Sequence, residues 1–401
     1  MKKIVTWMFS GWFRRPEVGA LESFITRLCF ALIVLYTLRI DEKFLRMTIE
    51  PNPVGLLKLL KPFDFHLTWL SNPDTYDIWR WVISGLLGFY VAGIALPVAL
   101  PVLAVMHVLP FTLFNSQGST HHGNQIVSLL LIVQSGCVLW QMVAERRFSL
   151  RPPDALLRGW LLWQSVTLIA GSYFVSVITK LLISKGQWIW KANFFPLDMI
   201  KTERQTWLNK VDHPWPGIPA DALWLLDHPW LSRLIFGSGI ILEAMCILAI
   251  GNRLLALVMG VSLIVMHRSI DALMGGVAFQ YNELLDFTYL VGVPFGIAWV
   301  MEKFLNRRLQ WGLVTGALIG VPLSWFFQTA PSAHIPNLPQ YFLRLVESLG
   351  VWASQDWRQF FSFNTPVFIT CAITAAVGML VAYLTGGRSI SANCENFHQS
   401  N

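Results

Sequence analysis

The chain contains 401 residues, of which 54% are hydrophobic and only 13% are charged. Soluble globular proteins carry about 25% charged residues, so this composition excludes an ordinary soluble protein. The net charge of +7 comes from basic residues between apolar runs, which is typical of membrane topology and not of nucleic-acid binding. We therefore expect the lipid bilayer as a partner and no nucleic acid.

Apolar runs of about 20 residues match the length that crosses ~30 Å of hydrocarbon. They predict an all-α, polytopic membrane protein with about nine or ten transmembrane helices. The candidate spans are residues 22–40, 78–95, 97–114, 124–143, 158–184, 231–250, 252–274, 277–301, 311–329 and 366–385. The second and third form one apolar stretch interrupted by Pro97 and Pro101, which indicates either a tight helical hairpin or one span with a re-entrant segment.

Short loops rich in Lys and Arg predict the orientation of these spans. One such loop contains Arg146, Arg147, Arg151 and Arg158, and another contains Lys303, Arg307 and Arg308. With ten spans, both loops and both termini are cytoplasmic, and the long loop 185–230 between the fifth and sixth spans is external. We expect a plasma or inner membrane location.

Lys180 lies near the end of the apolar run 160–183, where a charged side chain costs about 2.5–3.5 kcal/mol on insertion scales. At ~1.5 Å per residue, it falls about 30 Å from the cytoplasmic side, at the outer margin of the hydrocarbon. The predicted topology brings several other polar side chains to the same outer layer. They are His121, His122, His267, Glu283 and Asp286.

Each of these residues also has a purely structural interpretation. Lys180 at a helix end can snorkel to the interface, instead of acting as a general base. His121 and His122 can belong to a solvated loop, and His267 can be satisfied by a backbone carbonyl. Glu283 and Asp286 can pair with Arg268 or Lys180. Glu243 lies deeper and is expected to be isolated, either hydrogen-bonded or protonated, with a proton or quinone role as the alternative.

The histidines of this outer layer do not have a recognised metal-ligand spacing such as HExxH. We therefore predict no metal site. The sequence also lacks a Gly-rich phosphate loop and a GxSxG elbow, so nucleotide or serine hydrolase chemistry has no support.

Four segments resemble the vitamin-K-dependent gamma-carboxylases and their broader bacterial relatives, the HTTM membrane proteins. PEVGALESFITRLCFALIVLYTL (16–38) is similar to the opening helix with an embedded arginine, here Arg27. STHHGNQIVSLLLIV (119–133) is similar to a His-His segment before an apolar helix. GSYFVSVITKLLISKGQWIW (171–190) resembles the Tyr-Phe helix that ends in Lys-Leu, and VMHRSIDALMGGVAFQYNELL (265–285) resembles a later His/Met-Gly helix.

The resemblance implies a membrane-embedded enzyme that acts on a hydrophobic or quinol-like co-substrate in an outer-leaflet cavity. Lys180 would be the general base, with His122 and His267 as the other catalytic residues. His121, Trp188 and Glu283 would line the co-substrate site, and a quinol is the implied cofactor.

Two departures narrow this expectation. Gln187 occupies the place of the family's acidic residue before the tryptophan. The resemblance covers the membrane core alone, an HTTM-like domain over residues 1–385 followed by a short polar cytoplasmic tail over 386–401, without a lumenal β-rich domain. A hydrophobic small molecule or a peptide remains open as substrate. The alternative is a non-enzymatic transporter or membrane-complex assembly subunit, in which the same charges form a structural network.

Overall fold

The computed structural model describes residues 16–40, 67–115, 122–146, 148–210, 214–215, 217–274, 279–329 and 373–383, and these contain helices and no strand. The all-α prediction is confirmed for this part of the chain. The predicted tail 386–401 and His121 lie outside the described residues. The helices are α1 Ala20–Ile40, α2 Pro73–Ala92, α3 Leu96–Asn115, α4 His122–Ala144, α5 Ala155–Ile183, α6 Trp188–Lys191, α7 Phe195–Lys210, α8 Ala220–Asp227, α9 Pro229–Met245, α10 Arg253–Met274, α11 Gln280–Leu285, α12 Val293–Phe304, α13 Arg307–Thr329 and α14 Ile373–Tyr383.

Seven stretches of described helix are long and apolar enough to cross a membrane. They are Ala20–Leu38, Leu96–Leu113, Gly123–Ala144, Ala155–Ile183, Pro229–Ile250, Arg253–Leu273 and Tyr281–Phe304. The chain is therefore a multi-pass membrane protein by the length and composition of its helices. The count of nine or ten spans stays a prediction.

The chain divides into two compact units. The first comprises Met1–Val18, His121–Gln141 and Ala155–Val293, and the second comprises Gly19–Thr120, Met142–Asp154 and Pro294–Asn401. The prediction of one membrane domain over 1–385 is untested by this division.

In the second unit, the apolar stretch that contains α2 and α3 is a helical hairpin. The two helices are separated at Gly93, which ends α2 in the left-handed conformation (φ 72°) that glycine adopts without steric cost. The expectation that Pro97 and Pro101 interrupt the stretch is wrong. Pro97 lies in the first turn of α3, where its missing N–H is unneeded, and Pro101 is accommodated inside that helix.

Arg27 joins α1 to the end of α2 in this unit. Its Nε donates to the Val91 carbonyl at 3.2 Å, and Nη1 donates to Ser23 Oγ at 2.6 Å. The side chain is only 7% exposed. The arginine that the sequence singled out in α1 is thus a buried helix-to-helix connection, which satisfies a carbonyl at the last turn of α2.

The first unit has helices α5, α9, α10 and α11 packed around a short 3₁₀ segment, Cys246–Ile250, and a π-helical turn, Asp286–Leu290. Arg158 near the start of α5 donates to the Val18 carbonyl, and Arg253 at the start of α10 donates to the Glu17 carbonyl. Both helices therefore begin at the same end of the unit. Lys180 and His267, each near the end of its helix, lie towards the opposite end.

The described residues of segment 185–230, predicted as a long loop, include α6, the 3₁₀ helix Ala192–Phe194, α7 and α8. This segment packs on the first part of α9, where Ser232 Oγ donates to the Ala192 carbonyl at 2.9 Å. A Cβ added at Gly237 would lie 3.2 Å from Ile189. The beginning of α9 thus extends past the end of α5 and is covered by the segment that follows α5.

Candidate functional site

Lys180 and Glu243 form an ion pair between α5 and α9. The Lys180 ammonium donates to Oε1 at 2.6 Å and to Oε2 at 2.5 Å. The side chains are 27% and 11% exposed, respectively. Lys180 Nζ also lies 5.5 Å from the centre of the Trp188 ring, a cation–π distance. Lys180 therefore meets a carboxylate and an aromatic face, and does not extend alone into an interface.

The expectation that Glu243 is isolated is wrong, and the expectation that it is hydrogen-bonded is confirmed by its two contacts with the Lys180 ammonium. Glu243 is fourteen residues after Pro229 at the start of α9, which corresponds to about 21 Å along the helix. If the membrane surface lay at residue 231, where the predicted span begins, Glu243 would be about 18 Å deep, far from Lys180 at the outer margin. Because α9 begins beyond the end of α5, the two residues are instead level with each other.

His267 on α10 lies between two aromatic rings. Its ring centre is 5.8 Å from that of Tyr173 and 4.4 Å from that of Phe279, with interplanar angles of 29° and 7°. The residue is 2% exposed and is within electrostatic range of Lys180 and Arg268. Its Nδ1 has no hydrogen-bond partner among the residues that the structure describes.

Arg268, next to His267, pairs with Glu283 of α11 through Nη2 and Oε2. This is one of the two pairings open for Glu283 at the sequence level. Glu283 is 2% exposed, so the pair is a buried one. The carboxylate that faces Lys180 is that of Glu243, and Glu283 neutralises Arg268.

Asp286 and Tyr173 form a further polar contact that the predicted set of site residues does not contain. The Tyr173 hydroxyl donates to Asp286 Oδ2 at 2.7 Å, and Asp286 is fully buried. Asp286 is the first residue of the π-helical turn, whose Val291 N–H donates to the Asp286 carbonyl at 2.8 Å. Such turns occur frequently at functional sites.

A sequence signal for Tyr173 was present. Tyr173 and Lys180 are seven residues apart in α5, which puts them on one face of the helix, two turns from each other. No such signal identifies the partner of either residue, because Glu243 and Asp286 are on other helices.

The remaining predicted residues are described less completely. Trp188 is placed against Lys180, as given above. His122 begins α4, and its side chain is outside the described residues, as is all of His121. The next residue, Gly123, is packed so tightly that an added Cβ would lie 2.9 Å from the Tyr281 ring and 3.3 Å from Asn282. The start of α4 therefore lies beside α11, against the two residues that come directly before Glu283.

We call the seven residues brought together by these contacts the polar cluster: Tyr173, Lys180, Glu243, His267, Arg268, Glu283 and Asp286. Within the described ranges, no group of three or more His, Cys, Asp or Glu side chains has an arrangement that could hold a metal ion. The cluster contains carboxylates, an amine, an imidazole and a phenol, which are groups that accept, donate and relay protons.

No family model matches this chain, and no curated protein or solved structure is significantly similar to it. The resemblance to the gamma-carboxylases stays a prediction that depends on the four short segments described above.

Proposed function

We propose that this chain is a membrane-embedded enzyme in which Lys180 is the general base for a hydrophobic, quinol-like co-substrate. The observation that carries the proposal is the Lys180–Glu243 ion pair, which lies within electrostatic range of His267. His267 in turn stacks on Tyr173, the partner of Asp286. Ionisable residues inside membrane helices are rare and usually mark a functional path. The resemblance to the carboxylase membrane core supports the same assignment of the lysine.

The pair defines how a proton would be accepted. In the resting state the ammonium donates to both Glu243 oxygens, so Lys180 has no free electron pair. Transfer of one ammonium proton to Glu243 gives a neutral amine beside a neutral acid. The amine then takes the proton of the co-substrate hydroxyl, which leaves an ammonium, a protonated Glu243 and a co-substrate oxyanion. The net charge stays zero throughout, and the ammonium stabilises the oxyanion that it has created.

The other predicted residues have supporting parts in this proposal. Trp188, against which Lys180 lies, offers an aromatic face to a ring-shaped co-substrate. His267 lies between Lys180 and the Tyr173–Asp286 contact. Glu283 holds Arg268, the neighbour of His267, in an ion pair. The two opposite charges cancel, so this pair adds no net charge to the site. The proposal also keeps both termini cytoplasmic and the site in the outer leaflet of a plasma or inner membrane.

The test is the oxidation of a short-chain quinol by oxygen in vesicles that contain the purified protein. A quinol anion reacts with oxygen faster than the neutral quinol, so a general base accelerates oxygen uptake. We expect Lys180→Gln to lower that rate by about 10²–10⁴-fold, the usual contribution of general-base catalysis. Lys185→Gln is the matched control, because Lys185 lies in the turn after α5 and is exposed. Wild-type-like oxygen uptake by folded Lys180→Gln protein would refute the proposal.

The alternative is a transporter or a membrane-complex assembly subunit with a structural charge network. The specific observation in its favour is that Lys180 and Arg268 each already have a carboxylate partner. In that case Lys180→Gln would lower stability and release a co-purifying membrane protein, without any change in oxygen uptake above that of empty vesicles.

A further inference from the structure

Two atoms of the polar cluster are buried and lack a hydrogen-bond partner in the described part of the chain. They are His267 Nδ1 and Asp286 Oδ1, on residues that are 2% and 0% exposed. A buried polar atom without a partner costs about 1–3 kcal/mol, and native structures contain few of them. Both residues contact the same side chain, Tyr173, and two unpartnered atoms on its neighbours point to a binding partner that the described residues do not supply.

Both atoms belong to residues that contact Tyr173. Its ring stacks on the imidazole of His267, and its hydroxyl donates to the other carboxylate oxygen of Asp286. On its second face, His267 is covered by Phe279. Two aromatic rings therefore stack on the imidazole of His267, and the edge of that ring carries the unpartnered Nδ1.

The charges nearby restrict what that ligand can be. Lys180 and Arg268 lie within electrostatic range of His267, but each is paired with a carboxylate, Glu243 and Glu283 respectively. Neither pair therefore presents a net charge to a ligand, which favours a neutral one. A hydroxyl group is both donor and acceptor, so it can donate to one of the two atoms while it accepts from the other.

We propose that His267 Nδ1 and Asp286 Oδ1 bind the hydroxyl-bearing head of a neutral hydrophobic ligand, with the aromatic rings of Tyr173 and Phe279 beside it. This inference rests on the proposed function, because it names the binding residues of the same site. It adds Asp286 as a binding residue, which the sequence placed in the same outer layer but which is not among the site residues implied by the family resemblance. Lys180 then accepts a proton from a ligand that other residues hold.

A matched pair of probes isolates the contribution of the hydroxyl. 4-Octylphenol and 4-octylanisole share the ring and the tail, and in the second the hydroxyl hydrogen is replaced by methyl. Binding of each to the full-length protein in nanodiscs is measured by calorimetry, and empty nanodiscs correct for partition into lipid. We expect the phenol to bind wild type about tenfold more tightly, which is the effect of one or two hydrogen bonds.

Three variants locate the effect. Asp286→Leu and His267→Phe should each reduce the preference for the phenol to about one- to threefold. His267→Phe keeps an aromatic ring between Tyr173 and Phe279, so it serves even if Asp286→Leu does not fold. Asp271→Leu is the control, one turn beyond His267 on α10, and it should keep the tenfold preference.

Equal affinity of the two probes for wild type would overturn the inference, because a trapped water then suffices for both atoms. Persistence of the preference in both His267→Phe and Asp286→Leu would also overturn it. Lys180→Gln separates the two proposals, since it should abolish oxygen uptake but keep the preference for the phenol. If Lys180→Gln protein retains oxygen uptake, the proposed function is refuted and this inference is not. If wild-type protein is active in oxygen uptake but does not prefer the phenol, this inference is refuted and the proposed function is not.

Discussion

Lys180 and Glu243 are 63 residues apart in the chain, and the lysine ammonium contacts both oxygens of the carboxylate. The pair connects the last turns of α5 to the interior of α9. It defines one level of the first unit, at which the ends of α5 and α10 and the start of α11 also contribute polar side chains.

Removal of either member of this ion pair should lower the free energy of unfolding. Lys180→Met leaves the Glu243 carboxylate without its cation, and Glu243→Gln leaves the ammonium without its anion. Removal of one partner of a buried pair costs about 3–5 kcal/mol, and partial exposure of Lys180 puts the expected loss at the lower end. The double variant should recover about 1–3 kcal/mol of the summed loss. Denaturant unfolding in detergent provides all four free energies, and additive losses would contradict direct coupling.

An exposed pair on α2 is the control for that cycle. Arg80 and Asp77 are 3.4 Å apart, and their side chains are 20% and 52% exposed. Surface pairs of this kind contribute about 0–1 kcal/mol. The Arg80→Met, Asp77→Asn cycle should therefore give a coupling below that of Lys180 and Glu243.

Tyr173→Phe tests the contact with Asp286. Loss of the hydroxyl removes the 2.7 Å hydrogen bond and leaves both Asp286 oxygens without a partner among the described residues. We expect a loss of about 1–3 kcal/mol in the free energy of unfolding. Tyr289→Phe, which removes a 3.1 Å bond from the Gln134 amide, should cost about 0.5–1.5 kcal/mol, the value for a neutral bond. The reverse order of the two losses would argue against an important Tyr173–Asp286 contact.

Gly260→Ala should disturb the π-helical turn. An added Cβ would lie 2.8 Å from Leu290 Cβ and 2.9 Å from the Val291 nitrogen, so α10 would have to move away from the turn. Overpacking of this kind costs about 1–3 kcal/mol. At Gly171, on α5, nothing lies within 4 Å of an added Cβ, and Gly171→Ala should be neutral or stabilising by up to about 1 kcal/mol. Thermal unfolding of the two variants tests this difference, and equal melting temperatures would contradict the expected overpacking at Gly260.

Arg27→Lys should destabilise the second unit through its hydrogen bonds, although the charge is conserved. A lysine ammonium cannot reproduce the planar fork that reaches the Val91 carbonyl and Ser23 Oγ together. A hydrogen bond to a charged group is worth about 1.5–3 kcal/mol, and the loss of one should appear in the denaturant midpoint. Arg80→Lys, at a more exposed site, should change stability by less than about 0.5 kcal/mol. Indistinguishable midpoints would contradict this account of Arg27.

The helices were predictable because a bilayer imposes one rule on every span. Each must be apolar over about 20 residues and must satisfy its backbone internally. The predicted span 124–143, for example, became α4, His122–Ala144. The turn between α2 and α3 was harder to predict, since Pro97 and Pro101 are more conspicuous in the sequence than Gly93. Proline at the start of a helix is harmless, and the left-handed glycine forms the actual break.

The site was predictable only within a helix or between neighbouring segments. Glu283 and Arg268 are fifteen residues apart on consecutive helices, and their pairing was one of the two that the sequence left open. The partner of Lys180 depends on how far α9 extends beyond α5, which the hydropathy of either helix does not reveal. The same limit hid Asp286 as the acceptor of Tyr173, 113 residues away in the chain.

The pairing of charges in the polar cluster has an electrical consequence. Lys180 with Glu243 and Arg268 with Glu283 each sum to zero. A membrane potential does about 2.3 kcal/mol of work per 100 mV on one elementary charge carried across the bilayer, but its forces on the two members of a neutral pair oppose each other. The resting site is thus largely indifferent to voltage. Only a proton that moved part of the way across the bilayer to or from Glu243 during turnover would travel as a net charge, so the voltage dependence of the rate would reveal whether such a transfer occurs.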